Sequence, residues 1–318
     1  MVDNSIRTAG IDIAKDKLDV AVVGCDDRAV FDNNDAGFKQ LVAWLTAAGV
    51  SRIGVEATGG YERGVVRLLR ARRFTTVVLQ PLQVRAFAKM RLQRAKNDTI
   101  DARLIGACTE VLDADGRLPP DPRFDAMADH LTFIEQIEDD IVRCKTRLEH
   151  IADKRLMRIV AADIKRLEQR RAAELKRLTE ALRAHADLAQ RLDLVLSIPG
   201  IGARTALATV VRMPELGRVS REEAAALAGL APFVQQSGQW KGQMHIGGGR
   251  ARLRQSLYAA SLPAAVFWNP KLKAFYEQLR ARGKSHKCAL VACARKLLIY
   301  ANTVVARATP WTQDAAGA

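Results

Sequence analysis

Over the first 120 residues, short apolar runs alternate with stretches of helical spacing. TAGIDIA (8–14), KLDVAVVG (17–24) and RAVFDNN (28–34) are rich in β-formers and broken by short polar links, so they predict a three-stranded meander. DAGFKQLVAWLTAAG (35–49) then places Phe38, Leu41, Val42 and Leu45 at helical steps and stops at Gly49. RIGVEAT (52–58) reads as a strand, YERGVVRLLRARR (61–73) as an amphipathic helix, and TTVVLQP (75–81) as a last strand ended by Pro81. Three strands, helix, strand, helix, strand is the order of an RNase H-like α/β domain, expected over residues 1–120.

The pattern then changes. Between Pro122 and Pro199 there is neither glycine nor proline, and Leu131, Ile134, Ile137, Ile141, Cys144, Leu148 and Ile151 recur at three- and four-residue steps. Charged residues fill the remaining positions, so residues 121–193 predict long coiled-coil helices serving as a linker and oligomerisation arm. The repeat falters between Ala152 and Asp163, where a hairpin turn is expected. A mainly helical third region, 194–318, opens with SIPGIGARTALATVV: helix, tight Pro-Gly-x-Gly turn, helix. That is the pattern of a helix-hairpin-helix, whose backbone N–H groups at Gly200 and Gly202 face a phosphate. Residues 231–249 are glycine-rich and polar, hence a loop, and ARLRQSLYAASLPAAVF (251–267) returns to helix.

Charge adds a partner to this outline. The 318 residues carry a formal charge of +15, with 48% hydrophobic and 27% charged residues, the balance of a folded polyanion binder rather than a disordered chain. From Ala224 onward there are thirteen Lys and Arg against two acids, Glu277 and Asp314, and no acid at all from Ala224 to Tyr276. Ordinary surfaces mix their signs, so nucleic acid is the expected partner. No run approaches the ~18 apolar residues of a bilayer span, and the N-terminus lacks a signal-peptide profile, which predicts a cytoplasmic protein with no membrane partner. Cys25, Cys108, Cys144, Cys288 and Cys293 form no CxxC pair and read as free thiols.

The candidate chemistry begins with acids in apolar settings. Asp12 interrupts the run Gly-Ile-Asp-Ile, where a desolvated carboxylate costs several kcal/mol without a partner. Glu56 ends the fourth strand pattern, and neighbouring first and fourth strands would send both carboxylates into one cleft. Asp98 and Asp101 follow at a three-residue spacing on one face of a helical turn. Four converging carboxylates repel unless divalent cations neutralise them, and such oxygen ligands suit Mg²⁺ or Mn²⁺. Two ions roughly 3.5 to 4 Å apart activate an attacking oxygen and stabilise a leaving one at phosphorus. Each acid also has a structural reading: Asp98 and Asp101 as N-cap and N3 residues, Glu56 as a cap for the following helix.

Ahead of the third acid lie Arg85, Lys89, Arg91, Arg94 and Lys96 with no acid among them, either a phosphate-contacting edge or a solvated basic helix face. In the loop, Ser237 precedes a glycine, with Lys241, Arg250, Arg252 and Arg254 nearby as phosphate contacts. By spacing alone Ser237 is a turn residue, since no base adjoins it, and His245 is a phosphate or turn contact.

Taken together, Gly-Ile-Asp-Ile-Ala-Lys (10–15), Glu-Ala-Thr-Gly-Gly-Tyr (56–61), Lys-Asn-Asp-Thr-Ile-Asp-Ala (96–102), Ser-Ile-Pro-Gly-Ile-Gly (197–202), Gly-Leu-Ala-Pro (229–232), Ser-Gly (237–238) and Ile-Gly-Gly-Gly-Arg (246–250) resemble the DEDD transposases of the IS110 group of bacterial insertion sequences, relatives of the Piv-type DNA invertases. The resemblance implies an N-terminal RuvC-like domain with catalytic, metal-binding Asp12, Glu56, Asp98 and Asp101. It implies a coiled coil next, then a C-terminal transposase domain whose catalytic serine is Ser237. It further implies DNA recombination through a phosphoseryl intermediate, a structured bridge RNA as guide, action at the nucleoid, and a dimer of dimers whose composite sites bring the acids to the serine. A metal-dependent Holliday-junction nuclease, with the acids sufficient and no covalent intermediate, is the alternative.

Overall fold

The computed structural model describes residues 6–92, 98–112, 121–233, 236–237, 240–241 and 245–312; the side chains of residues 98–100, 236–237 and 240–241 are outside the description. The chain divides into two compact units, Met1–Arg117 and Leu118–Ala318.

The first unit is a mixed sheet between helices. Its elements are β1 (Arg7–Ile13), β2 (Lys17–Val22), β3 (Arg28–Asp32), α1 (Asp35–Ala47), β4 (Val50–Glu56), α2 (Arg63–Ala71), β5 (Thr75–Leu79), α3 (Pro81–Met90) and α4 (Asp98–Val111). The strand order is β3-β2-β1-β4-β5. The meander pairs antiparallel, and β1, β4 and β5 run parallel, so the predicted α/β order is the observed one. Alternation along each strand sorts side chains to two cores. Ile11, Ile13, Leu18, Val20, Ile53 and Val55 pack beneath α1 and α2. On the opposite face Val77 and Leu79 meet Val84 and Phe87 of α3 and Leu104, Ile105 and Cys108 of α4. Helix α1 is capped by the Asn34 side chain, which accepts from the amides of Ala36 and Gly37.

Helix α4 lies unusually close to the sheet because two strand positions facing it are glycine. A methyl group on Gly10 would collide with the Ala102 carbonyl oxygen and the Gly106 amide, and one on Gly54 with the Thr109 hydroxyl. At the far end Arg52 Nη2 donates to the Leu112 carbonyl at 2.6 Å. Along β4, then, each step toward the carboxyl end moves toward the N-terminus of α4.

The second unit is helical: α5 (Arg123–Glu149), α6 (Lys154–Arg183), α7 (Ala186–Leu196), α8 (Ala203–Arg212), α9 (Arg221–Leu227), α10 (Ala251–Pro263), α11 (Pro270–Ala281) and α12 (His286–Arg307), with a π-turn at Ala264–Trp268. Helices α5 and α6, 27 and 30 residues long, form the predicted hairpin, with His130 reaching Glu174 and Lys145 reaching Glu168 as the two run antiparallel. Its turn falls at residues 150–153, where Asp153 accepts from the amides of Arg155 and Leu156, overlapping the start of the Ala152–Asp163 window. The base of the hairpin belongs to the main core: Phe124, Met127, Leu131, Ile134, Leu178 and Leu182 pack with Leu207, Leu257 and Leu297. The loop expected at 231–249 contains two two-residue strand pairs among its described residues, β6 (Pro232–Phe233) with β9 (His245–Ile246) and β7 (Gln236–Ser237) with β8 (Trp240–Lys241).

Helix α12, for which no segment was predicted, is long and apolar enough by length and composition to cross a membrane, at mean hydropathy 1.5. Ala289, Leu290, Cys293, Leu297, Leu298 and Ala301 are nonetheless buried beside α10 and α11, which accounts for the apolar content as core. All five cysteines are free thiols, and burial pushes the Cys293 thiol up to about 11.

Candidate functional site

In the first unit, the sheet itself juxtaposes the first two acids. Ile11 of β1 pairs with Val55 of β4, and Asp12 and Glu56 are the next residues on these parallel neighbours. By strand alternation Asp12 shares the face of Gly10 and Glu56 that of Gly54, the face covered by α4. Both are half-buried. Since the N-terminus of α4 lies at this same end, the helix begins with Asp98 and brings half-buried Asp101 to the carboxyl ends of β1 and β4. Ligand and catalytic sites of open α/β sheets lie at such carboxyl ends. The Asp98 side chain is outside the description, and among the described residues no three His, Cys, Asp or Glu side chains cluster tightly enough to hold an ion. The chemistry of the donor set, hard carboxylate oxygens at one sheet end, fits Mg²⁺ or Mn²⁺ and no softer metal.

A further acid was missed. Asp19 of β2 is the direct cross-strand partner of Asp12. Its side chain is 14% exposed, takes the Lys17 ammonium at 3.1 Å, and lines with Ala102 of α4 a cavity of about 260 Å³. The signal was present in the alternation of KLDVAV, where Leu18, Val20 and Val22 go inward and Asp19 to the face of Asp12.

In the loop after β4 the Glu62 carboxylate accepts from the Thr58 amide (3.1 Å), the Thr58 hydroxyl (2.9 Å) and the Gly60 amide (2.8 Å). Burial alone would raise the Glu62 pKa, but these backbone and hydroxyl donors hold it below the ordinary carboxylate value. Gly59 and Gly60 take positive φ of 79° and 129° to aim those amides.

Of the basic candidates in this unit, Arg85 and Lys89 are exposed on α3, and Arg91 just after it stacks over the Phe87 ring at 5.1 Å. Arg94 and Lys96 lie outside the described residues.

In the second unit the arginines after the loop have identified partners. Arg250 grips Glu215 with both terminal nitrogens, at 2.9 and 2.7 Å. Burial would raise the Glu215 pKa, yet the Arg250 guanidinium keeps it lowered. Arg254 Nη1 donates to the Gly248 carbonyl at 2.6 Å, and the Arg250 amide donates to the Leu227 carbonyl at 2.8 Å. These bonds clamp the two ends of the loop, since a Cβ at Gly249 would collide with the Gly229 backbone. Arg252 pairs with Glu135 at 2.7 Å. Glu135 on α5, with only 8% of its side chain exposed, also receives Arg204 and Arg212 of α8, at 3.3 and 2.6 Å. One carboxylate thereby ties three helices.

Between the clamped ends, Ser237 pairs with Trp240 and Lys241 with Gln236. Their side chains lie outside the description.

The Pro-Gly-x-Gly turn is present between α7 and α8. Gly200, at φ 94°, packs directly against Ala264 of the π-turn, so its lack of a side chain serves both conformation and contact. Gly202 caps α8 without a side-chain acceptor and is open to solvent. The Ser197 hydroxyl donates to the Leu194 carbonyl (2.7 Å) and accepts from the Trp311 amide (2.8 Å).

Two transposase family models match the chain in succession. A DEDD transposase model of IS110, described as a transposase, matches residues 9–161, and a transposase model of the IS116/IS110/IS902 family matches residues 192–277. The pilin gene-inverting protein of Moraxella bovis is 26% identical over 317 residues, covering 95% of this chain and 96% of that one. That of Moraxella lacunata matches to the same extent. The insertion element IS110 uncharacterized 43.6 kDa protein of Streptomyces coelicolor is 34% identical over 132 residues, 41% of this chain and 31% of its own length.

Proposed function

Because the chain belongs to the IS110 family of transposases, and is thereby a DNA-cutting recombinase, we propose that it relocates or inverts a DNA segment in the cytoplasm by strand exchange at a carboxylate-held metal centre and a serine. The observation that carries this reading is the emergence of Asp12 and Glu56 from adjacent parallel strands beneath a helix that begins Asp98-x-x-Asp101.

Asp12, Glu56, Asp98 and Asp101 would hold Mg²⁺ or Mn²⁺, which supplies charge neutralisation at the phosphate and a Lewis acid for the attacking and leaving oxygens. The protein's own part is to fix those carboxylates on two neighbouring strands and the helix packed over them, so that little reorganisation accompanies the reaction. Ser237 is the proposed nucleophile. Its Oγ–P bond forms as one P–O bond to deoxyribose breaks, and the serine proton ends on the released sugar hydroxyl. Reversal with a new hydroxyl reseals DNA without ATP. Exposed Arg85, Lys89 and Arg91 contact backbone phosphates, together with Arg94, Lys96, Lys241 and the amides of Gly200 and Gly202. With Arg250 on Glu215, Arg252 on Glu135 and Arg254 on the Gly248 carbonyl, these three arginines favour holding the loop ends and α10 in place, with phosphate contact a second duty. A structured bridge RNA guides target choice, and the working assembly is a dimer of dimers.

The test is a denaturing gel of protein incubated with labelled DNA and Mg²⁺. Wild type forms a covalent adduct, Ser237→Ala forms none, and Asp12→Asn or Glu56→Gln lowers cutting roughly a hundredfold or more. Cutting that leaves free ends and is undiminished in Ser237→Ala would replace the serine step by hydrolysis.

A further inference from the structure

The exposed surface of the second unit holds an unexpected feature where α10 ends. Phe267 is 78% and Trp268 66% exposed, and Leu262 and Val266 beside them are 45% and 38% exposed. Large apolar groups gathered in one exposed place mark contact surfaces rather than ordinary solvent-facing residues.

Their outward direction is built in. Residues Ala264–Trp268 form a π-turn, closed by the Asn269 amide on the Ala264 carbonyl at 2.9 Å. The extra residue of a π-turn rotates the succeeding side chains away from their α-helical directions, and such turns recur at functional sites. Ala264 and Ala265 remain fully buried while the next three residues face out. Asn269, 2% exposed, fixes the end of the turn: its Oδ1 accepts from the Leu272 amide (3.1 Å) and its Nδ2 donates to the Pro199 carbonyl (3.3 Å). With Gly200 against Ala264, the aromatic pair is thus rigidly attached to the Pro-Gly-x-Gly turn and the open N-terminus of α8.

Charge decides the occupant. No acid occurs from Ala224 to Tyr276, and Lys271 and exposed Lys273 follow within five residues of Trp268. A second copy docked symmetrically here would bring these lysines toward each other, whereas DNA neutralises them and offers π-faces to the rings. Resting on the recombinase reading above, we infer that Phe267 and Trp268 are a stacking wedge: they take up a base of DNA that is unstacked or unpaired, beside a backbone held at the α8 turn. Strand exchange requires opened base steps, and aromatic stacking offsets part of the unstacking cost at each step.

The experiment uses the full chain and DNA duplexes of arbitrary sequence carrying 2-aminopurine, either fully paired or with a central bubble, and an RNA duplex of the same sequence. Wild type should raise 2-aminopurine fluorescence on binding and prefer the bubble. The Phe267→Ser/Trp268→Ser double variant should lose the rise and bind the bubble roughly tenfold to a hundredfold more weakly, with an unchanged melting temperature. Phe267→Ser alone, at the more exposed ring, serves as a second variant and should lose most of the rise. Four results overturn the inference: no rise with wild type, a rise and affinity retained by the double variant, a loss of RNA binding in the double variant larger than its loss of bubble binding, or a shift in sedimentation with DNA binding unaltered, which would make this face a contact between copies. None of these readouts needs cutting, so loss of the wedge leaves the metal-and-serine reading standing, and loss of cutting leaves the wedge standing.

Discussion

Glu135 shows how a single residue can govern three elements. Its carboxylate is nearly buried and faces the guanidinium groups of Arg204, Arg212 and Arg252. Glu135→Ala should leave Arg212 and Arg252 without their shared anion, Arg204 keeping Glu138, and lower unfolding stability by about 2–4 kcal/mol, below the extreme for buried pairs because Arg252 reaches solvent. Chemical denaturation measures this directly. At Glu62 the sign follows from its lowered pKa: the loop is stabilised above the unfolded carboxylate value of 4.5, and the gain disappears as pH falls through the lower folded value. Melting temperature should therefore fall more steeply for wild type than for Glu62→Gln as pH drops below that range. Both residues escaped the sequence reading for one reason. Their roles depend on partners distant in sequence or on a turn that folds around them, and neither lies in a motif.

At the scale of elements, the glycines facing α4 are the controlling feature. Gly10→Ala should force α4 from the sheet, costing about 1–3 kcal/mol from overpacking and displacing Asp98 and Asp101 from Asp12. The expected outcome is a folded protein that still binds DNA but no longer cuts it in the presence of metal, checked by circular dichroism and a cutting assay. The strands and helices of the first unit were legible because period-2 and period-3.6 patterns there are clean, and adjacency of β1 and β4 then follows from the right-handed crossover. Asp12 and Glu56 were legible as acids in apolar strands. Asp19 was not, since reading it requires the register of a hairpin rather than a run. Helix α12 went unread because its apolar residues surround it on most sides, leaving no amphipathic stripe. Likewise the arginines after the loop could be seen as a cluster of charge, but their ion pairs to Glu215 and Glu135 join residues far apart in the chain, which spacing does not encode.

For the molecule as a whole, basic charge is the proposed route to DNA, and three of its exposed members, Arg85, Lys89 and Arg91, lie on α3 and just after it. Replacing Arg85, Lys89 and Arg91 by glutamine should weaken DNA binding uniformly across sequences and reduce the slope of log affinity against log salt by roughly 0.9 for each phosphate left unneutralised. Arg250 and Arg254, clamped on protein acceptors, should instead lower stability when replaced and change that slope less. The long hairpin also directs how its role is to be examined. Removing all of it would take Leu131, Ile134, Leu178 and Leu182 from the core, whereas excising residues 143–162 preserves them. That shortened protein should melt normally and bind DNA, yet fail to bring two DNA ends together in a pairing assay; retained pairing would exclude the arm from assembly. Finally, the Trp311 amide rests on the Ser197 hydroxyl and the Trp311 ring on Tyr300, with centroids 4.3 Å apart. Loss of Trp311 would therefore be felt at the turn beginning near Ser197, more than a hundred positions earlier, so the posture of that turn is set in part by a residue at the opposite end of the second unit's chain.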